Sequence, residues 1–170
     1  MEHVILVDED DRPIGHMEKM LAHKLGKLHR ALSVFIFNSE GQMLLQQRAH
    51  HKYHSPGLWT NTCCSHPREN EATEDAATRR LKEEMGMSAA LSHAFHFIYR
   101  TEFENGLIEH ELDHVFIGFT DEQPLLNPEE VAAWKYMDIL ELQRDVDSHP
   151  ENYTSWFKIC LPQVLEKIST

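Results

Sequence analysis

The chain has 170 residues, with 16 Lys plus Arg against 28 Asp plus Glu and a formal net charge of −12. That length fits one domain, residues 1–170, large enough to bury a core, and the acidic balance argues against a broad nucleic-acid or membrane surface. No apolar run approaches the roughly 20 residues that span a bilayer, and the opening Glu2, His3 and Asp8 lack the basic and apolar stretches of a secretion signal, so the expected home is the cytoplasm.

In chain order, residues 4–7 form a short apolar run that reads as a strand before a turn region at 8–15. Residues 31–38 are rich in β-branched and aromatic side chains. With a turn at 39–42 containing Gly41, and with residues 43–47, they read as a hairpin. Residues 52–67 are a loop punctuated by Pro56, Gly57 and Pro67. A helix is expected next, with Asn70 as its N-cap, acidic residues in its first turn and Gly86 as its C-terminal cap. Ala77, Leu81 and Met85 recur every four residues and give it an apolar stripe. Residues 94–103 read as a strand, Asn105-Gly106 as a hairpin turn and 107–120 as the long returning strand. Residues 153–168 read as a helix, with Trp156, Cys160 and Val164 at four-residue spacing. Strands mixed with a few helices, without regular βαβ alternation, imply a mixed sheet flanked by helices.

Four groups of side chains have chemical potential. Glu109, Glu111 and Asp113 alternate along one strand and share a face. Taken alone they read as a solvated face, although the opposite face, with Ile108, His110, Leu112 and His114, is only partly apolar. Cys64 and His66 point the same way in extended geometry, so a thiol next to a histidine and a metal would gain acidity; locally, a small buried cysteine beside a loop histidine is the plainer account. His23 and His29 add two more nitrogens to His66, Glu109 and Glu111, a mixed set that suits Mn²⁺, Fe²⁺ or Zn²⁺ rather than a closed four-ligand zinc site. Lys19, Arg48, Lys52 and Arg80 would clamp a phosphate if the fold brings them together, and otherwise are ordinary solvated charge. The three cysteines, Cys63, Cys64 and Cys160, are a poor disulfide framework and fit reduced thiols.

Residues 65–87 resemble the Nudix box, G-x5-E-x7-R-E-U-x-E-E-x-G-U with U apolar. Glu71, Arg79, Leu81, Glu83, Glu84, Gly86 and Met87 match in register, while Ser65 replaces the first Gly and Arg80 replaces the Glu after the first Arg. Nudix hydrolases gather carboxylates around Mg²⁺ to cleave a diphosphate. A cation at Arg80 favours holding that group over cleaving it, which lowers the hydrolase reading without eliminating it.

A wider set of stretches, in order, resembles the type I isopentenyl-diphosphate isomerase family. They are Lys19-Met20-Leu21-Ala22-His23, the run from Leu28 to Asn38, Leu44-Leu45-Gln46-Gln47-Arg48-Ala49, the run from Trp59 to Pro67, and Glu109-His110-Glu111. The resemblance implies a Nudix-type α/β/α sandwich with a mixed β-sheet. It implies isomerisation of isopentenyl diphosphate to dimethylallyl diphosphate by protonation and deprotonation through a tertiary carbocation. His23, His29, His66, Glu109 and Glu111 correspond to the family's metal ligands, for one divalent ion (Mn²⁺, Zn²⁺ or Mg²⁺). Cys64 corresponds to the catalytic cysteine, with Cys63 not catalytic. Glu111, which also moves a proton, has Tyr99 as its hydroxyl partner. Glu84 corresponds to the ligand of a Mg²⁺ carried on the diphosphate, and Lys19, Arg48, Lys52 and Arg80 to the diphosphate clamp. Trp156 corresponds to the aromatic facing the hydrocarbon. A monomer binding a small diphosphate, with no nucleic-acid or membrane partner, is the expectation. A Nudix hydrolase using Glu71, Glu83 and Glu84 and a metal-binding module without activity remain the alternatives.

Overall fold

The computed structural model describes residues 2–169. Strand β1 (His3–Val7) pairs antiparallel with β2 (Pro13–Glu18), and helix α1 (Lys19–Leu25) leads into β3 (His29–Phe37). There follow β4 (Met43–Arg48), the short β5 (Trp59–Thr60) and β6 (Cys63–Ser65), and helix α2 (Thr73–Met85). The hairpin of β7 (Ser92–Glu102) and β8 (Ile108–Phe119) precedes β9 (Val131–Met137), α3 (Ile139–Ser148) and α4 (Ser155–Ile168). The sheet is mixed. β3 lies parallel to β8 and antiparallel to β1, β4 and β6, while β4 pairs antiparallel with β5 and β9.

The pleat of β3 divides its side chains between two cores. Leu32, Val34 and Ile36 pack against Ala76, Ala77, Leu81 and Met85 of α2. Phe35 and Phe37 pack against Phe157, Cys160 and Val164 of α4 and Leu142 of α3. Helices therefore cover both faces of the sheet, as the α/β/α expectation requires.

Element boundaries moved where tertiary contacts decide them. Asn70 is not the cap of α2. It sits in a left-handed turn at φ 66°, and Ala72 takes the cap position without a side-chain hydrogen bond. The chain enters the helix instead through Glu71, which accepts from the Arg68 N–H at 2.9 Å and from Arg79 at 2.8 and 2.9 Å. Gly86 does end the helix, at φ 64° with its N–H on the Lys82 carbonyl at 3.0 Å. A Cβ there would lie 2.5 Å from the Leu125 carbonyl oxygen, so both the backbone angle and the space select glycine. α4 begins at Ser155 rather than 153, because Tyr153 is committed to packing in the core while its hydroxyl donates to Asp145 at 2.5 Å. Elements α1, β2 and β9, and the strands within the 52–67 loop, are not assigned from sequence; neither is α3, although it is amphipathic and Asp138 caps it, accepting from the Leu140 N–H at 2.9 Å.

The acidic alternation on β8 is not a solvated face. Glu109, Glu111 and Asp113 are 3%, 5% and 1% exposed. They occupy the same face of the strand as Val115 and Ile117, which enter the α4-side core. A buried carboxylate row needs cations or protons, and the site supplies both kinds of group.

Candidate active site

Four elements deliver the first cluster: His23 from the last turn of α1, His29 at the start of β3, His66 just after β6, and Glu109 and Glu111 from β8. The parallel register sets His29 directly beside Glu111. One ligand atom from each of the five lies within 4.8 Å of the others. His23 Nε2 is 3.1 Å from Glu109 Oε2, while His29 Nε2 and His66 Nε2 are 3.2 and 2.7 Å from Glu111 Oε2.

The outer nitrogens show what this cluster is suited to hold. His23 Nδ1 lies 2.7 Å from the Lys19 carbonyl oxygen and His29 Nδ1 lies 2.9 Å from that of Lys27, so each Nδ1–H donates outward. Each Nε2 lone pair then faces a carboxylate oxygen, an arrangement that requires a proton or a cation between them. Backbone-oriented imidazoles with Nε2 free are the usual support of a metal ligand, and five convergent N and O donors suit a divalent metal ion. Burial, with Glu109 close by, pushes the Glu111 carboxyl well above the usual carboxylate range. Burial also takes the His66 imidazole down to about 4, leaving it neutral and able to ligate. Tyr99 donates its hydroxyl to Glu111 Oε1 at 2.5 Å and is itself pushed upward by burial.

Cys64 lies on the same side of the sheet, and its neighbour Cys63 turns into the α2 core. The thiol donates to Asn61 Oδ1 at 3.0 Å, and Trp156 Nε1–H donates to Sγ at 3.0 Å. The Asn61 amide is fixed by its NH₂, which donates to the carbonyls of Val34 at 3.0 Å and Cys63 at 2.9 Å. Trp156 is set by the start of α4, where the Thr154 N–H donates to the Trp59 carbonyl at 3.0 Å and the Thr154 and Thr60 hydroxyls meet at 2.8 Å. Burial pushes the Cys64 thiol up to about 12.

The basic residues converge. Lys19, Arg48, Lys52 and Arg80 line one cavity with Cys64, His66, Tyr99, Glu109, Glu111 and Trp156, with an empty volume of about 520 Å³. Lys19 pairs with Glu2 at 2.6 Å, Lys52 with Glu130, and Arg80 with Glu84 at 2.7 Å. Gln46 Nε2 donates to the other oxygen of Glu84 at 3.1 Å. The Nε–H groups of Arg48 and Arg80 are buried without a hydrogen-bond partner among the described residues, a costly state.

Comparisons with known proteins identify the family. A family profile described as NUDIX domain matches residues 27–157. The chain is 56% identical over 164 residues to isopentenyl-diphosphate Delta-isomerase 2 of Aromatoleum aromaticum, covering 96% of this chain and 87% of the relative. It is 52% identical to isopentenyl-diphosphate Delta-isomerase of Pectobacterium atrosepticum, covering 96% and 92%. The chain belongs to the isopentenyl-diphosphate Delta-isomerase family. A solved structure from Deinococcus radiodurans, 20% identical, superposes with a TM-score of 0.73 over 86% of this chain and 90% of that one, a likeness of fold alone.

In this member of the isomerase family, His23 and His29 lie behind the cavity wall, both fully buried, and Glu84 lies beneath Arg80. Sequence reasoning missed several participants. His54, 4% exposed, places Nε2 2.6 Å from Glu109 Oε2 and stacks on Phe103 at 4.6 Å. Asn61 aims the thiol, Gln46 braces Glu84, and Glu130 balances Lys52 and Arg80. His54 comes from a loop whose path no periodicity specifies. Asn61 fell inside a matched stretch, but its amide gave no local sign of a role.

Proposed function

We propose that this chain isomerises isopentenyl diphosphate to dimethylallyl diphosphate with the residues of this one cavity. The observation that carries the reading is that an acid–phenol pair, a buried thiol and four basic side chains all face the same space. The diphosphate is held by Lys19, Arg48, Lys52 and Arg80, the basic side chains that line the cavity. That charged handle positions the distant alkene. Glu84 would hold a Mg²⁺ that arrives with the substrate, exchanging its contact with Arg80 for the ion. A divalent ion at His23, His29, His66, Glu109 and Glu111, of the Mn²⁺, Zn²⁺ or Mg²⁺ kind, would acidify the Glu111–Tyr99 pair.

The hydrogen-bonded Glu111–Tyr99 pair gives a proton to the terminal alkene carbon, and positive charge develops at the tertiary carbon. An alkene is a weak base, so this step needs an activated acid in a site closed to water. The Trp156 indole face stabilises the cation without capturing it, a contribution of up to ~2 kcal/mol when desolvated. Cys64, as the thiolate, then takes a proton from the carbon next to CH₂O, restoring a double bond one position along; the resulting thiol and the deprotonated Glu111–Tyr99 pair are reset by proton exchange with water once the product has left. Burial pushes the thiol up to about 12, so the thiolate needs support, and the Trp156 N–H and the charge of Arg48 are the groups that stabilise it. We read residues 1–170 as one functional unit acting as a monomer. The three free thiols support a reducing compartment such as the cytoplasm.

Proton NMR of the purified protein with isopentenyl diphosphate and Mg²⁺ in D₂O tests the reading. Deuterated dimethylallyl diphosphate should form with wild type and not with Cys64→Ala. Release of phosphate without rearrangement would instead assign a hydrolase.

A further inference from the structure

On the opposite face of the β7–β8 pair, away from the cavity, His93, His96 and His114 converge, each with a ring nitrogen within 4.8 Å of the others. Ordinary alternation would put His93 and His96 on opposite faces. A bulge between His93 and Phe95 shifts the register, so that His93 pairs with Phe116 and His96 with His114. All three imidazoles then share the side that carries Phe116 rather than the side that carries Tyr99 and Glu111. Bulges re-aim side chains in this way. The His93 ring is held edge-on against Phe116 at 5.4 Å.

The third histidine has a prepared orientation. Asp11 Oδ2 lies 2.8 Å from His114 Nε2, which fixes the proton there and leaves the His114 Nδ1 lone pair 2.9 Å from His93 Nε2. Asp11 is itself fixed by Arg30, which donates from Nε to Oδ1 and from Nη2 to the Asp11 carbonyl, both at 2.7 Å. Asp11 adopts a left-handed backbone, φ 64°, to receive both. A carboxylate that donates no ligand but sets the tautomer of a histidine is the usual outer support of a metal-bound imidazole. Two of the three rings are exposed, so an ion would enter directly from solvent.

We propose that His93, His96 and His114 form a second metal site, for an imidazole-preferring divalent ion of the Zn²⁺ class, with Asp11 orienting His114. Zn–N bonds of about 2.0–2.1 Å require nitrogens roughly 3.3 Å apart in a tetrahedral site, which small rotations of the two exposed rings achieve. Three imidazoles leave the fourth position to water. The ion ties β7 to β8 on the face behind the catalytic one. Nothing in this site depends on the isomerase reading.

The test is equilibrium dialysis of the full chain against excess Zn²⁺, with the bound metal quantified in wild type, His96→Gln and Asp11→Asn. Wild type should bind one more equivalent than His96→Gln, and the imidazole NMR signals of His93 and His114 should move only with that equivalent. Asp11→Asn should weaken it roughly 10- to 100-fold. The isomerase rate of His96→Gln should match wild type, which excludes misfolding as the cause. Equal stoichiometry in wild type and His96→Gln would overturn the site. An affinity unchanged by Asp11→Asn would overturn the assigned role of Asp11.

Discussion

Replacing Tyr99 by Phe removes one oxygen from the acid side of the cavity and little else. The ring is 5% exposed, stacked with Phe97 at 5.6 Å and tilted against Trp156 at 6.5 Å, so phenylalanine keeps the packing. What is lost is a 2.5 Å O–H···O contact to Glu111 Oε1. A hydrogen bond to a charged group is worth about 1.5–3 kcal/mol, and 1.36 kcal/mol is tenfold in rate. If the phenol supports the proton donor in the transition state, kcat should fall roughly 10- to 150-fold. KM should hold steady, because the diphosphate contacts lie on Lys19, Arg48, Lys52 and Arg80. The assay is dimethylallyl diphosphate formation followed by NMR under saturating Mg²⁺, with bound metal measured in parallel. A metal-replete variant with kcat within threefold of wild type would refute the assignment of Tyr99 to the proton donor. A change confined to KM would do the same.

Cys63→Ala should keep the isomerase rate and cost about 0.5–1.5 kcal/mol of stability, because its sulfur fills the α2-side core rather than the cavity; urea melts and the NMR assay separate the two effects. Divalent metal binding should release protons, since a ligating carboxylate must be ionised while burial and Glu109 hold Glu111 protonated in the metal-free protein. Calorimetry in buffers of different ionisation enthalpy should therefore give different apparent binding enthalpies, and identical values would contradict the shift. Hydrogen bonding from Arg79 lowers the Glu71 carboxyl below 4.5 in the folded chain. That stabilisation is present above 4.5 and disappears as pH falls through the folded value. Glu71→Gln should accordingly flatten the acid limb of stability against pH in urea melts.

Much of the fold was legible because its signals are local. The four-residue stripe of α2, the Asn105-Gly106 turn and the aromatic run of β3 each specify an element without outside help. α1 is only seven residues long and β5 only two, and such pieces exist because their neighbours hold them, so periodicity could not reveal them. The site divides in the same way. Cys64 and the Glu109–Glu111 alternation could be picked out by type and spacing, yet local reasoning preferred a solvated face for the acids. Only the parallel register of β3 and β8 shows that they turn inward toward His29. His54 and Asn61 act through contacts made by loop backbone, where side-chain type carries little information about direction.

The order in which these parts leave the ribosome has a consequence for the thiol. Three of the five clustered ligands are synthesised before α2, but Glu109 and Glu111 arrive only with β8, so the cluster cannot close until well past mid-chain. Cys64 waits longer still, because Trp156, which caps its sulfur, belongs to the last helix. From its own synthesis until Trp156 is in place, Cys64 therefore lacks the indole that covers its sulfur in the folded chain. Oxidative damage at that position should fall on newly made chains more than on mature ones.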